Sequence, residues 1–232
     1  LLKKMKKHYY LENFLYFVGR SIARLYTKID LKKQIKSKKQ FPLGAKIFAV
    51  NHPSTLDPLY IMSSIKEPVH ALLTEDVFKI FGLNKLIAWA GHVAVGRNSG
   101  LIALNQAITL LTKNRSILIF PEGMVSKNSQ QVEKLKTGAV RMALATGAPI
   151  IPIGICVDPQ KIKKFTIKIK NQENQFYWYR RGAYLITYGA PIYFTGELNN
   201  QELVRNHSII LRNKIQQLLM RGYRLLELAT TK

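Results

Sequence analysis

The chain is poor in cysteine and acidic residues, and no apolar run is long enough to predict a membrane span. Cys156 is the single cysteine among 232 residues, which excludes a disulfide framework and a cysteine-ligated metal site. The glycine-rich phosphate loops of common nucleotide-binding proteins are also missing. Only 13 acidic residues oppose 36 basic ones, so the net charge is +23. That charge leaves polyanions as the expected partners: nucleic acid, an anionic membrane surface or a phosphorylated substrate.

The basic charge is concentrated at the two ends of the chain. Residues 1–46 carry 13 basic and 2 acidic side chains, and residues 159–232 carry 13 and 4. Residues 47–158 carry 10 and 7, so the middle is nearly neutral. A protein that grips nucleic acid along a whole face would spread its charge more evenly. The distribution therefore favours an enzyme core between two elements that bind a charged surface.

The N-terminal part predicts an amphipathic helix. Its apolar side chains recur at spacings of three and four, while Arg20, Arg24 and Lys28 fall on the other face. The apolar positions are Leu11, Phe14, Leu15, Val18, Ile22, Leu25, Tyr26 and Ile29. Because two arginines interrupt it, we expect this helix to lie in a membrane interface rather than to cross the bilayer. Packing of the helix against its own domain is an equally good interpretation.

A basic run after this helix marks the expected domain boundary. Lys32, Lys33, Lys36, Lys38 and Lys39 would each contribute about 1 kcal/mol on anionic lipid, or would form a solvated linker. We therefore divide the chain into a membrane-surface segment, residues 1–40, and a globular domain, residues 41–232. The basic first residues are not followed by an apolar core and a small-residue cleavage site, so no signal peptide is predicted.

From residue 46 onwards short apolar strands alternate with helices. Such alternation predicts an α/β fold in which helices flank a mostly parallel sheet. We expect strands at 46–50, 69–73, 93–95, 116–120 and 150–157, and helices at 58–65, 77–88, 101–111, 132–145 and 201–226. Around residue 165 the period changes to two, so residues 164–170 and 184–188 are expected to form a late antiparallel strand pair.

Residues 50–58, Val-Asn-His-Pro-Ser-Thr-Leu-Asp-Pro, carry the most informative polar pattern, at the end of a predicted strand. Loops at the carboxyl ends of parallel strands are where α/β sheets place their sites. His52 and Asp57 would point about 140° apart on an ideal helix. Pro53 keeps His52 out of the helical region, so its side chain can fold back towards Asp57.

A His-Asp contact of this kind would have a definite chemical use. A carboxylate on one imidazole nitrogen leaves the other as a base, which can deprotonate a substrate hydroxyl for attack on an activated acyl carbon. The alternative is structural: Asp57 caps the start of a helix and His52 is a turn residue.

Two further segments also lie at predicted strand ends. Residues 120–123, Phe-Pro-Glu-Gly, would aim a carboxylate and backbone N–H groups at a polar substrate, or would form an ordinary strand-to-helix turn. Residues 91–97 end in Arg97, which suits a phosphate and is otherwise a surface residue. The aromatic-arginine cluster at residues 176–181 could stack on bases, lie in a lipid interface or form a hairpin corner.

Taken together, these segments resemble the phospholipid/glycerol acyltransferase family. The family's block Asn-His-x-Ser-x-x-Asp matches residues 51–57 in full, and its Gly-x-x-x-x-x-Arg block resembles residues 91–97. The block Phe-Pro-Glu-Gly-Thr-Arg-Ser matches residues 120–126 at five of seven positions. An apolar strand with a central proline resembles residues 148–154. The resemblance covers roughly residues 40–195.

The resemblance implies an O-acyltransferase with residues 41–232 as its acyltransferase domain. His52 would be the general base on the acceptor hydroxyl and Asp57 its orienting partner, while Arg97, Glu122 and Gly123 would line the acceptor site. The implied acyl donor is a thioester, either acyl-CoA or acyl-carrier protein. The implied acceptor is a lysophospholipid, 1-acylglycerol-3-phosphate, in phospholipid biosynthesis. No cofactor and no catalytic metal are implied.

Met124 and Val125 depart from the family pattern, which has Thr and Arg at these positions. The missing arginine removes one expected phosphate contact. Lys127 could substitute for it. Otherwise the acceptor would be a different lysolipid or a hydroxylated lipid, such as an acylated amino acid.

These expectations describe a peripheral or monotopic enzyme on the cytoplasmic face of the cell membrane, bound to an anionic surface. A basic nucleic-acid-binding module is the alternative from another class, motivated by the charge of +23 and the aromatic-arginine cluster. If the resemblance holds, nucleic acid is not expected as a partner.

Overall fold

The fold is built on a seven-stranded sheet in a computed structural model, which describes residues 2–31, 33–36, 40–79, 87, 90–169 and 172–230. The strands are β1 (Lys33–Lys36), β2 (Ile47–Val50), β3 (Val69–Thr74), β4 (Val93–Val95), β5 (Ser116–Ile119), β6 (Ile150–Val157), β7 (Ile162–Ile169), β8 (Gln172–Tyr179) and β9 (Ala183–Tyr188). The described helices are α1 (Leu2–Asp30), α2 (Asp57–Ser64), α3 (Gly100–Thr112), α4 (Gly138–Thr146) and α5 (Gln201–Thr230). Short 3-10 turns lie at Val77–Lys79 and Pro159–Lys161.

The sheet has the strand order β1-β9-β6-β2-β5-β3-β4. The five strands from β6 to β4 are mutually parallel, β9 runs antiparallel to β6, and β1 runs parallel to β9. Strands β7 and β8 form a separate antiparallel pair. The mostly parallel α/β sheet with a late antiparallel pair is therefore confirmed. Because β2, β5, β3 and β4 are parallel, the loops that follow them share one edge.

Each face of the sheet has its own apolar core, and β2 shows why. Its four residues are fully buried, and they alternate between the faces: Ile47 and Ala49 join one cluster, while Phe48 and Val50 join the other. Helices α3, α4 and α5 cover the first face, and α1 and α2 contribute to the second. A central strand buried on both sides is a continuous apolar run, which is why the sequence reveals it.

Most predicted elements lie within two residues of their observed bounds, but the predicted helix 132–145 begins only at Gly138. The residues before it are held by distant partners: Val132 N–H donates to Gln216 Oε1 at 2.8 Å, and Lys136 N–H donates to Pro121 O at 2.7 Å. A helix here would have to give up those bonds. The predicted helix 77–88 is described only at its start, a 3-10 turn over Val77–Lys79, and residues 80–86 and 88–89 lie outside the described residues.

The late strand pair has a different partner from the one we predicted. Strand β7 pairs with β8, not with residues 184–188. Those residues form β9, which pairs with β6 inside the main sheet. Residues 184–188 are all buried, a pattern that suits a strand inside the sheet rather than a half-exposed pair.

Helix α1 packs on the domain and also leaves an apolar face exposed. Tyr16, Ala23, Thr27 and Asp30 are buried. On the opposite side, four apolar side chains are 38–72% exposed: Val18, Ile22, Leu25 and Ile29. One face of this helix thus fits the packing interpretation, and the opposite face fits the membrane-interface interpretation. None of the helices in the described ranges is long and apolar enough to cross a membrane.

Part of the basic run belongs to the main sheet. The backbone of residues 33–36 pairs with β9, so this part of the basic run is a strand and not a linker. Positions 32 and 37–39 of that run lie outside the described residues.

Candidate active site

The side chains of His52 and Asp57 meet at the carboxyl end of β2. His52 Nδ1 lies 2.9 Å from Asp57 Oδ2, so the contact expected from the sequence is present. Asp57 is the first residue of α2 and is fully buried. The His52 side chain is 14% exposed, and its ring stacks on that of Phe120 with the ring centroids 4.2 Å apart. A carboxylate at Nδ1 selects the tautomer protonated there. The second ring nitrogen, Nε2, is then the one that can take a proton from a substrate.

Asp57 is a partner for this histidine and not a helix cap. Its Oδ2 also accepts the Ser54 N–H at 2.7 Å, and its Oδ1 accepts the Tyr184 hydroxyl at 2.8 Å. The cap position of α2, at Leu56, makes no side-chain cap hydrogen bond. Burial raises the pKa of Asp57, and the bonds from His52, Ser54 and Tyr184 act against that rise. These three donors favour the charged carboxylate.

The loop that carries His52 is tied to distant parts of the chain. The Asn51 amide donates to Ile155 O at 3.0 Å and accepts the Ile155 N–H at 2.6 Å, which fixes the loop to β6. On the other side Thr55 N–H donates to Tyr177 O at 2.8 Å, and Ser54 Oγ donates to the same carbonyl at 3.0 Å. Asn51 and Ser54 thus hold the loop on both sides.

Glu122 lies against the same loop, but its carboxylate points inward. Its Oε1 accepts the His52 N–H at 2.9 Å. Its Oε2 accepts the Ser126 hydroxyl at 2.7 Å and the Glu133 N–H at 2.9 Å. Since Glu122 is only 5% exposed, the geometry favours a role in holding the His52 backbone over the direct acceptor contact that the resemblance implied.

Gly123 and two lysines border the open side of this loop. Gly123 has a φ of +77°, a backbone conformation that glycine adopts readily. Its N–H donates to Phe120 O at 3.0 Å, which closes the turn. A Cβ atom there would lie 2.6 Å from the Nζ of Lys136, so that ammonium group is at the turn. Lys127 is exposed and follows Ser126, whose N–H donates to His52 O at 2.8 Å.

Arg97 lies on the same edge of the sheet but apart from the His-Asp pair. It follows β4, three strand spacings or about 14 Å from β2 across the sheet. It lines a cleft of about 610 Å³ whose lining does not include His52. The cleft is formed by Thr74, Glu75, Asp76, Val95, Gly96, Arg97, Asn98 and Ser99. Two carboxylates therefore share this cleft with the arginine.

Sequence reasoning missed two residues of this site. Lys136 stands in the segment Leu-Lys-Thr-Gly just before α4, and the sequence analysis gave this lysine no role. Tyr184 reads as an ordinary strand residue, and its bond to Asp57 spans 127 positions of sequence. Only the pairing of β9 with β6 brings it to the site. Within the described residues no group of three or more His, Cys, Asp or Glu could hold a metal ion.

Comparisons with known proteins agree on one family. Residues 32–156 match the sequence model of the family described as Acyltransferase. The 1-acyl-sn-glycerol-3-phosphate acyltransferase of Borreliella burgdorferi is 31% identical over 106 residues, which are 44% of this chain and 42% of that protein. The Escherichia coli protein of the same name is 26% identical over 155 residues, 64% of this chain and 61% of its own. The chain spans less than half the length of several curated relatives that it matches.

A solved structure has the same fold. It is the 1-acyl-sn-glycerophosphate acyltransferase of Thermotoga maritima, with a TM-score of 0.65 and 19% sequence identity. The match covers 93% of this chain and 82% of the other. At this identity the likeness concerns the fold.

Proposed function

The chain belongs to the acyltransferase family, and on that premise we propose that it transfers a fatty acyl chain from an acyl thioester to the free hydroxyl of a lysolipid, with 1-acylglycerol-3-phosphate as the first candidate. The observation that carries this proposal is the 2.9 Å contact between His52 Nδ1 and the buried carboxylate of Asp57 at the sheet edge. The names of the curated relatives support the acceptor class.

The proposed reaction needs one base and no protein nucleophile. His52 Nε2 takes the proton of the acceptor hydroxyl, and the hydroxyl oxygen forms a bond to the thioester carbonyl carbon. The carbon–sulfur bond then breaks, and the proton on His52 passes to the departing thiolate. Asp57 stabilises the imidazolium that exists between these steps. The thioester is acyl-CoA or acyl-carrier protein.

We assign contact with an anionic membrane to α1. Its exposed apolar face, Val18, Ile22, Leu25 and Ile29, lies opposite the face that packs on the domain. Arg24 and Lys28 are also exposed on this helix, so it offers lipid both an apolar stripe and positive charge. A lysolipid acceptor resides at such a surface, so this placement would bring the enzyme to its substrate.

A second acceptor class is favoured by the cleft around Arg97. Glu75 and Asp76 line it beside the arginine, and like charge opposes a phosphomonoester dianion there. Met124, 63% exposed, and Val125 stand where the family pattern has Thr and Arg. An acceptor whose headgroup includes an ammonium group would suit a cleft with both signs of charge. Lys136 Nζ, beside Gly123, is the cation that would favour the first candidate instead.

An acceptor screen tests the proposal and separates the two candidates. The purified full chain is incubated with a palmitoyl thioester, as CoA or carrier-protein ester, and one of three acceptors. These are 1-acylglycerol-3-phosphate, a lysophosphatidylethanolamine and a hydroxylated N-acyl amino acid that keeps a side-chain ammonium group, with His52→Ala as the inactive control. Transfer to the first acceptor supports the main candidate, and transfer to an ammonium-bearing acceptor alone supports the second. No transfer to any of them would overturn the proposed function.

A further inference from the structure

The carboxylate oxygen of Asp57 that faces away from His52 has a donor of its own. Tyr184, on β9, donates its hydroxyl to Asp57 Oδ1 at 2.8 Å, while His52 Nδ1 and the Ser54 N–H use Oδ2. Both Asp57 and Tyr184 are 0% exposed. Bulk water therefore does not compete for Oδ1, and the hydroxyl is the donor that satisfies it.

The ring of Tyr184 is held in place from two sides. It packs edge-on against Tyr60 of α2, with ring centroids 5.0 Å apart, and lies tilted against Tyr179 of β8, with centroids 6.1 Å apart. Tyr60 is itself fixed, because its hydroxyl is bonded to the Asp30 carboxylate and to Tyr179 O. The Tyr184 hydroxyl is therefore aimed at Asp57 before any substrate arrives.

The charges around this contact favour a fixed direction of donation. Burial, followed by the neighbouring charge of Asp57, raises the pKa of Tyr184 well above its ordinary value, so the hydroxyl keeps its proton. Burial also raises the pKa of Asp57, and the Tyr184 bond opposes that rise. A protonated Asp57 would accept the Nδ1–H of His52 more weakly and could itself donate to Nδ1, so it would favour the tautomer whose Nε2 is free to act as a base less strongly.

We propose that Tyr184 is a positioning residue for catalysis: its hydroxyl keeps Asp57 as a carboxylate and keeps Oδ2 turned towards His52. This inference rests on the proposed function of His52 as base. It adds to the pair a third side chain that reaches the site only through the β6–β9 strand pairing. Tyr184 is completely buried and so does not touch the substrate.

Other titratable groups face the pair from the surrounding elements. Tyr60 lies on α2 and Tyr188 on β9, and both contribute to the raised pKa of Tyr184. Glu122, in the loop after β5, accepts the backbone N–H of His52. In the described part of the chain the donors to the Asp57 carboxylate are His52, Ser54 and Tyr184. Tyr184 is thus the donor that can be removed without disturbing the His52 loop.

Tyr184→Phe removes the donor, and Tyr188→Phe is the matched control. Tyr188 lies on the same strand, is 9% exposed and bonds Ser64 at 2.9 Å instead of Asp57. For Tyr184→Phe we expect kcat to fall about tenfold with KM unchanged, as for loss of one bond to a charged group. In the dependence of kcat/KM on pH, the acid limb should move to higher pH by up to about one unit. The sign follows because a carboxylate that lacks this donor is more basic, so the pair takes up its first proton at higher pH.

A second variant keeps the hydroxyl and reverses the sign. Tyr184→3-fluorotyrosine has a more acidic, stronger donor, so the acid limb should move to lower pH. The titration of the His52 ring, followed by 15N NMR, should shift in the same direction as the limb in each variant and needs no turnover. Profiles and ring titrations of both Tyr184 variants that coincide with those of Tyr188→Phe would overturn the inference. If the wild-type chain transfers no acyl group, the proposed function fails, and the ring titration alone still decides the role of Tyr184.

Discussion

Two regions on one sheet edge are built in opposite ways. Around His52, after β2, the two carboxylates are buried: Asp57 is 0% and Glu122 5% exposed, and each accepts three hydrogen bonds. In the cleft after β3 and β4, by contrast, Glu75 and Arg97 are exposed to solvent. We call the first region the base site and the second the Arg97 cleft.

The contrast separates two tasks of a transferase. Proton transfer needs a base and its partner in one geometry before the substrate arrives, and buried hydrogen bonds supply that. Recognition of a headgroup needs charge of the right sign at a reachable position, and exposed side chains supply that with less structural constraint. We therefore expect substitutions in the base site to change kcat or stability, and substitutions in the Arg97 cleft to change KM.

The largest effect should come from His52→Ala. Removal of a general base costs about a hundredfold to ten-thousandfold in rate. The fold should persist, because Asp57 keeps its bonds from Ser54 and Tyr184, and Glu122 still accepts the backbone N–H of residue 52. Thiol release from a palmitoyl thioester measures kcat, and thermal unfolding measures the fold. Turnover within tenfold of wild type would remove His52 from the role of base.

Glu122→Gln tests whether the buried Glu122 carboxylate holds the backbone of the base site in place. One carboxylate oxygen of Glu122 accepts the His52 N–H, and the other accepts the Ser126 hydroxyl and the Glu133 N–H. The amide NH2 group of glutamine would face a donor at one of these two positions. We expect a loss of about 1–3 kcal/mol in the free energy of unfolding, together with a roughly tenfold lower kcat.

Glu133→Gln is the control for that loss, since Glu133 is exposed in the same loop. The Glu133→Gln variant should change neither the free energy of unfolding nor kcat by more than a small amount. A Glu122→Gln protein of wild-type stability with a raised KM would instead support a direct acceptor contact, as the resemblance implied.

The base site and the fold differ in how far the sequence could predict them. The central strands were predictable because each is an apolar run bounded by turn residues. The meeting of His52 and Asp57 was predictable because only five positions separate them and Pro53 keeps His52 out of the helix that begins at Asp57. Tyr184 was not, because its contact depends on a strand pairing that we assigned to another strand, β7. No local pattern distinguishes a tyrosine that faces the core from one that faces Asp57.

Helix α1 shows a second limit of prediction. Its apolar stripe predicted a buried or lipid-bound face, yet the face that packs on the domain includes Thr27 and Asp30. These polar side chains have partners on other elements: the Thr27 hydroxyl bonds Ser63 Oγ at 3.3 Å, and Asp30 accepts a bond from Arg180 at 2.6 Å. Burial of a polar group depends on a partner, and the partner's position is a tertiary property.

In the Arg97 cleft we expect a smaller effect, confined to KM. Arg97→Gln should raise KM for the preferred acceptor about tenfold, since one charge-assisted bond is lost and the exposed side chain carries no part of the core. Glu75→Gln should lower KM for 1-acylglycerol-3-phosphate and raise it for an ammonium-bearing lysolipid. Kinetics with both acceptors measure this. A fall in kcat with KM unchanged, in either variant, would contradict the division between the base site and the cleft.

The smallest effect on turnover should come from the exposed face of α1. Ile22→Ser with Leu25→Ser removes apolar surface that is 60% and 62% exposed, so stability should change little. Sedimentation with vesicles rich in phosphatidylglycerol should show binding weakened about tenfold or more, because each apolar side chain withdrawn from lipid costs about 1–3 kcal/mol. Ile209→Ser with Ile210→Ser, on α5 and 55% and 45% exposed, is the matched control and should bind as wild type does.

Transfer to a short-chain acceptor in solution should stay unchanged in both double variants, because neither region of the site is touched. Equal binding by both double variants would show that α1 is not the membrane contact, and retention on DNA without retention on vesicles would assign its charge to nucleic acid.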